Sequence, residues 1–332
     1  MKRAWLKFGF LWLFLLSLQW NCPAPLIYRA GEGWSYEPYG GGKWIRQRAK
    51  DQLEVAQAAF DKKDFSLAKK AARRTLRTWP FSDYAPEAQY LLGQCYEQTG
   101  HDEKAFREYQ RLLEKYPKSV NYQEILSRQY GIANKYLAGQ WFKLWGYIPF
   151  FPSMDKTADM YQKVIRNGPY TDVAAKSQMN IGAAREKQKE FGLAVRAYEQ
   201  AADRYHDRTD VASEALFKMG LAHLKASRRS EYDRSVATQA ISAFNDFLVL
   251  YPNDPRVPEA KKHIAALKTT QARGSYDIAR FYEKKKHYQG ALVYYNEVLL
   301  HDPNSSYAEE ARQRIDQLKN RAAKQTAQLS AN

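Results

Sequence analysis

The residues of this chain best suited to metal or nucleophilic chemistry are six histidines and two cysteines, and their spacing assembles no site. His101, His206, His223, His263, His287 and His301 are scattered, mostly in turns or on polar faces. No His-Glu-x-x-His, Gly-x-Ser-x-Gly or Cys-x-x-Cys occurs, so the zinc pair, the hydrolase nucleophile and the redox dithiol are all missing. Gly42-Lys43 ends like a phosphate loop. In that motif, however, Glu37 stands where the first glycine belongs and Trp44 where Ser or Thr belongs. Carboxylate pairs such as Glu186 and Glu190 read as solvated helix faces. The expectation is a protein that is no enzyme and has no cofactor, metal or small-molecule substrate.

The cysteines point to compartment more than to catalysis. Lys2, Arg3 and Lys7 precede an apolar run from Phe8 to Leu18 that is too short to span a bilayer comfortably. Residues 1–21 therefore read as an export signal. Cys22 follows at the place where a bacterial lipoprotein is cleaved and lipidated, although Gln19, Trp20 and Asn21 fit the usual lipobox badly. Lipidation of Cys22 and plain cleavage both stay open; a single acyl chain is the usual means of holding an exported solenoid at a membrane. Cys95 falls on an apolar helix face, where a free cysteine behaves as a small hydrophobe. Its rival reading is a disulfide with Cys22 in an oxidising compartment.

A net charge of +16 admits nucleic acid, an anionic surface or acidic partners. Export argues against nucleic acid, and no recognition helix or RNA-binding motif accompanies the basic residues. Lys69, Lys70, Arg73, Arg74 and Arg77, and later Lys284 to Lys286, read as a solvated basic surface.

The elements that fill the chain are legible in one stretch, Pro86 to Pro117. Ala88, Leu91, Leu92, Cys95 and Tyr96 lie on one stripe of a 3.6-residue helix. Gly100 breaks that pattern. Ala105, Phe106, Tyr109, Leu112, Leu113 and Tyr116 then form a second stripe that stops at Pro117. Gly93, Tyr96, Ala105, Tyr109 and Pro117 fall at the small, aromatic, small, aromatic and proline positions of a tetratricopeptide (TPR) hairpin of about 34 residues. Small residues at 93 and 105 let the two helices approach closely. One such hairpin cannot bury its own stripe, so it must repeat. The spacing from the helix-B alanine to a closing proline recurs at Ala68–Pro80, Ala105–Pro117, Ala240–Pro252 and Ala291–Pro303. Weaker copies start at Ala158 and Ala194, which makes about six units.

The predicted class is thus all-α: a TPR-type helical-hairpin solenoid over 44–323, with no sheet, because nothing alternates with period two for long. Residues 22–43 form an extended Gly/Pro/aromatic arm, with Trp34 expected to pack on the first repeat. An insertion at 139–153 carries Trp141, Phe142, Trp145, Tyr147, Phe150 and Phe151. It is either a hydrophobic plug or a protein or membrane contact surface. A basic insertion, Ser227 to Thr238, lengthens the fifth unit. One long helix, about Pro258 to Glu283, braces the end, a capping helix runs from Tyr307 to about Ala323, and 324–332 is read as a disordered tail.

Several of these features together resemble the BamD family of outer-membrane barrel-assembly lipoproteins. They are the exported N-terminus with Cys22, the corners Trp79-Pro80 and Tyr116-Pro117-Lys118-Ser119, the long helix ending Asp277-Ile278-Ala279-Arg280-Phe281-Tyr282, and Asp302-Pro303-Asn304-Ser305-Ser306. The resemblance implies a lipid-anchored scaffold at the periplasmic face of the outer membrane, soluble in the periplasm if Cys22 is not lipidated. Its implied partners are the periplasmic domains of the barrel-assembly protein and unfolded outer-membrane proteins; Cys22 is the one residue carried over, as lipid site. The sixth unit and the aromatic insertion depart from the family pattern. The alternative is a periplasmic TPR adaptor for peptidoglycan or Tol-Pal-type machinery.

Overall fold

The computed structural model describes residues 26–31, 33–36, 44–118, 121–144, 148–229 and 234–330. The export signal, Cys22, most of the 22–43 arm, Trp145, Tyr147 and the last two residues lie outside them. Two ribbons and thirteen helices follow one another among the described residues. Ribbon one pairs β1 (Leu26–Arg29) with β2 (Gly33–Tyr36). Then come α1 (Ala49–Asp61), α2 (Phe65–Thr78), α3 (Ala85–Gln98), α4 (Asp102–Lys115) and α5 (Tyr122–Leu137). Ribbon two pairs β3 (Phe142–Leu144) with β4 (Ile148–Phe151). The rest is helical: α6 (Met154–Asn167), α7 (Asp172–Lys187), α8 (Phe191–Arg204), α9 (Thr209–Arg229), α10 (Arg234–Leu250), α11 (Val257–Lys284), α12 (Tyr288–His301) and α13 (Ser306–Ser330).

One contact recurs from hairpin to hairpin. A β-carbon placed on Gly93 would lie 2.5 Å from the ring of Tyr109, one on Gly182 would lie 2.4 Å from Tyr198, and one on Gly220 would lie 2.6 Å from Phe244. Each ring belongs to the following helix and is fully buried or nearly so. The missing side chain is therefore what lets an aromatic lie flat against the neighbouring backbone and bring the two helices together. In the last hairpin Ala279 stands at the same spacing from Tyr295, and both are buried in one cluster. The helix-B alanines at 68, 105, 194, 240 and 291 have no exposed surface, and Ala158 is buried as well. Burying the ring leaves its hydroxyl to be satisfied. The Tyr109 hydroxyl donates to Glu97 at 2.8 Å, that of Tyr198 to Glu186 at 2.9 Å, and that of Tyr295 to Glu283 at 2.7 Å.

The turn between paired helices is also repeated. Lys63, Gly100, Lys189 and Lys286 all have φ near +60°. This left-handed residue ends the first helix, and the next amide reaches back to close the turn: His101 N donates to Tyr96 O at 2.9 Å and Glu190 N to Arg185 O at 3.0 Å. Between repeats, the Tyr116 hydroxyl donates to the Pro80 carbonyl and that of Tyr205 to the Pro169 carbonyl. Each repeat corner is thereby tied to the corner before it.

Packing divides the chain into two units. The first holds ribbon one, α1 to α4, α5 up to Lys135, and residues 140–152; the second holds 136–139 and everything from Ser153 on. The division falls at the 139–153 insertion, inside the span the sequence reads as one array. The class is all-α, and the two ribbons correct the expectation of no sheet. Their strands are three or four residues long, too short for a period-two pattern to register. Ribbon one turns through Gly31 and Gly33, at φ 77° and 74°. Trp34 is 66% exposed, so it does not pack on the first repeat. The expected disordered tail is corrected too: α13 runs on to Ser330, through a stretch rich in Ala, Gln and Lys with no Gly or Pro to stop it.

Two glycines of the first unit separate the close-approach role from ordinary helix weakening. Gly93→Ala is expected to destabilise by about 1–3 kcal/mol, because Tyr109 has nowhere to move. Gly131→Ala, inside α5 with nothing within 4 Å of the new carbon, is expected to stabilise by about 0.5–1 kcal/mol. Chemical-denaturation curves of the two variants check both signs.

Candidate functional site

Several of the groups singled out for chemistry are engaged in the packing of the fold. Among the described residues no cluster of His, Cys, Asp and Glu could hold a metal. Cys95 is a buried free thiol whose pKa burial pushes up to about 11. His101 and His223 are held below the ordinary histidine value, chiefly by burial, and His263 stacks on Phe244. Glu186 takes the Tyr198 hydroxyl and Lys225, while Glu190 pairs with Arg185 at 3.0 Å. These carboxylates hold the fold.

A better candidate is the groove between the first helices of the second and third hairpins. Here α5 is joined to α3, and at its C-terminal end to the start of α4, by a ladder of polar contacts. The Tyr90 hydroxyl donates to Glu124, Arg128 reaches Glu97 and Glu124 at 3.3 Å each, and Lys135 meets Asp102 at 2.8 Å. Arg128 also lies over the Tyr90 ring at 5.3 Å. Burial and the bond to Glu124 raise the Tyr90 hydroxyl to about 12. Beside this ladder opens a cleft of about 320 Å³, floored by Leu112 and Ile125 and walled by Asp83, Glu87, Tyr90 and Glu124. Three carboxylates and no lysine or arginine line it, in a chain of net charge +16.

The aromatic insertion is fastened to the same unit. The buried Asp102 accepts from Gln140 at 2.7 Å as well as from Lys135. Lys143 donates its amide to Glu103 at 3.0 Å and its ammonium to the Gly100 carbonyl at 2.9 Å. With the strand fixed so, Trp141 is 51% and Phe151 39% exposed while Phe142 is buried. Phe142 is therefore corrected from contact candidate to core: the register shifts between Phe142 and Lys143, and both the Phe142 ring and the Lys143 ammonium are turned toward the protein. Phe150 lies in β4. Gly93, Tyr96, Ala105 and Tyr109 are brought together inside the second hairpin, and Pro117 follows the end of α4.

Sequence reasoning missed ribbon one. Its tip is held by the amide of Asp83, which donates to the Gly31 carbonyl at 2.7 Å. Tyr28 and Trp34 are cross-strand partners with ring centroids 5.3 Å apart, and both are largely exposed. The signal lay in Gly31 and Gly33 between short aromatic runs. The second unit has a wider cleft of about 740 Å³ between α6 and α8, floored by Gln178. Arg166, Arg204 and Asp203 give its rim mixed charge.

The comparisons divide along the same lines as the packing. Residues 153–302 match the family YfiO, described as outer membrane lipoprotein, and residues 53–120 match a tetratricopeptide-repeat family. No curated protein matches the chain. Among solved structures, the C-terminal part of a TPR repeat-containing protein from Cytophaga hutchinsonii is 14% identical, covering 79% of this chain and 87% of that one at a TM-score of 0.35. A TPR protein from Parabacteroides merdae is 12% identical, covering 81% and 98% at 0.33. MamA from Desulfovibrio magneticus is 14% identical, covering 62% and 97% at 0.32. No helix among the described residues is long and apolar enough to cross a membrane.

Asp102 is expected to be the clasp of the second ribbon. Asp102→Ala should cost about 1–3 kcal/mol and speed hydrogen exchange at residues 142–151 while leaving α1 and α2 protected. Unchanged exchange there would mean that the ribbon is held otherwise.

Proposed function

We propose that this BamD-like tetratricopeptide-repeat protein is a non-enzymatic scaffold at the periplasmic face of the outer membrane. Its work is to dock on the periplasmic domains of a barrel-assembly protein and to hand over unfolded outer-membrane β-barrel segments. The observation that carries the reading is the match of residues 153–302 to a family of outer membrane lipoproteins, joined to a separate repeat match in the first unit. TPR arrays and this lipoprotein family are interaction scaffolds. A helix-A groove is the place where such an array takes a partner chain.

The geometry supports a division of labour. The first unit offers an open cleft of about 320 Å³ lined by Asp83, Glu87, Glu124, Tyr90, Leu112 and Ile125. The second, lipoprotein-like unit is the candidate for docking on the membrane partner. Cys22 is the proposed lipid site, and the exposed Trp141 and Phe151 are proposed contact residues beside the groove. In this reading export and anchoring act together: a soluble scaffold has to be kept near the membrane where its clients insert.

The test is an affinity capture of the tagged chain from detergent-solubilised membranes, with the co-purifying proteins identified by mass. A large outer-membrane barrel with periplasmic domains, near one-to-one, is the expected result. Recovery of peptidoglycan-binding or Tol-Pal proteins alone would overturn it in favour of an envelope adaptor.

A further inference from the structure

Three cations crowd one buried ring in the first unit. Tyr96, near the end of α3, is 6% exposed. The Lys69 ammonium lies 5.5 Å from its ring centre, the guanidinium carbon of Arg73 5.6 Å and the Lys104 ammonium 5.9 Å. Lys69 and Arg73 stand one turn apart on α2, and Lys104 comes from the first turn of α4. Arg73 also donates to the Tyr96 hydroxyl. His101 packs against the same ring at 6.2 Å. Burial first, and then the charges of Lys104, Lys143 and Lys69, hold its pKa below the ordinary histidine value.

A ring face attracts a cation, but cations gathered around one ring repel each other. Two of the three have no carboxylate to offset them. Helix α2 carries Lys69, Lys70, Arg73, Arg74 and Arg77 and not one Asp or Glu, and none of the five forms an ion pair among the described residues. The carboxylates nearest in sequence are engaged by other groups. Asp64 caps α2 through the Leu67 amide, Glu97 takes Tyr109 and Arg128, Asp102 takes Lys135 and Gln140, and Glu103 takes the Lys143 amide. A hairpin of the second unit treats the same place otherwise: Arg185 follows Gly182 by three residues, as Tyr96 follows Gly93, and it is paired with both Asp155 and Glu190. The Tyr96 hydroxyl is also incomplete. It accepts from Arg73, and its own proton has no acceptor among the described residues.

We propose that Lys69, Arg73, Lys104 and the Tyr96 hydroxyl form a binding site for a phosphate group, borne by a small soluble molecule or by a lipid headgroup. Donors that reach one spot from three helices call for an acceptor with oxygens in several directions. A phosphate offers a tetrahedral set of oxygens and up to two negative charges, whereas a carboxylate offers two oxygens in one plane and a single charge. The Arg73 fork suits two phosphate oxygens, and the two ammoniums act as point charges beside it. Lys69 and Arg73, which the sequence reads as part of a solvated basic surface, thereby gain a ligand class of their own. The site goes beyond the partner groove, and either can fail without the other.

The experiment is a calorimetric titration of the full chain in maltoside detergent at constant ionic strength. The probes are inorganic phosphate, glycerophosphoglycerol (the deacylated headgroup of phosphatidylglycerol) and acetate. Saturable binding of at least one phosphate probe is expected, with acetate weaker by about tenfold or more. Arg73→Gln and Lys104→Gln should each weaken the phosphate probe by about fivefold or more. Tyr96→Phe keeps the ring, so a loss of affinity at an unchanged melting temperature reports the hydroxyl alone. Lys70→Gln removes the same charge from an exposed position on the same helix and should change nothing. Tighter binding of the deacylated headgroup assigns the site to lipid, and tighter binding of inorganic phosphate assigns it to a soluble phosphate; both support the site. Absence of saturable binding by either phosphate probe would overturn it, as would acetate binding equally well. A loss in Lys70→Gln as large as that in Arg73→Gln would show a diffuse basic surface and overturn it too.

Discussion

An aromatic ring lying on a residue with no side chain is the contact on which the rest of this structure depends. Tyr109 on Gly93, Tyr198 on Gly182 and Phe244 on Gly220 each close a helical hairpin. In the first two of these the tyrosine hydroxyl comes within reach of a glutamate at the end of the first helix, and the turn carries a left-handed residue, as it also does at Lys63 and Lys286. Lysine occupies that turn at 63, 189 and 286, where glycine would be less strained. No hairpin buries both its faces, and the Tyr116 and Tyr205 hydroxyls joined to the preceding corners show how the next one is added.

A scaffold of this kind leaves its helix faces free for partners. In the first unit the cleft beside α3 is lined by Asp83, Glu87 and Glu124, the last paired with Arg128, while the chain as a whole is strongly basic. Two of the groups considered for chemistry are engaged in packing. Glu186 serves Tyr198, and Cys95 is a buried thiol with a raised pKa.

Much of this architecture was legible because small and aromatic residues recur at a spacing that helices impose. Ala68, Ala105, Ala194, Ala240 and Ala291, chosen from spacing alone, are all without exposed surface. The long helix, read as Pro258 to Glu283, spans Val257–Lys284. What stayed hidden depends on contacts that sequence period does not encode. Ribbon two has three-residue β3 with an irregular register and a proline in β4, so its aromatic run gave composition but not direction. Phe142 is buried beside a register shift, next to Lys143 fastened to Glu103 and Gly100. The acidic groove was equally opaque: Asp83, Glu87 and Glu124 come from two helices and a corner, and only the packing of α3 beside α5 makes them neighbours.

The central claim is that this scaffold takes a partner polypeptide along the α3–α5 groove. Site-specific photo-crosslinking in living cells tests it most directly, with a photoreactive phenylalanine replacing Glu87 in the groove and, separately, the exposed Glu114 of α4. Adducts with unfolded outer-membrane protein at position 87 and none at 114 are the predicted result. Adducts at 114 alone, or equal yields at both positions, would contradict it.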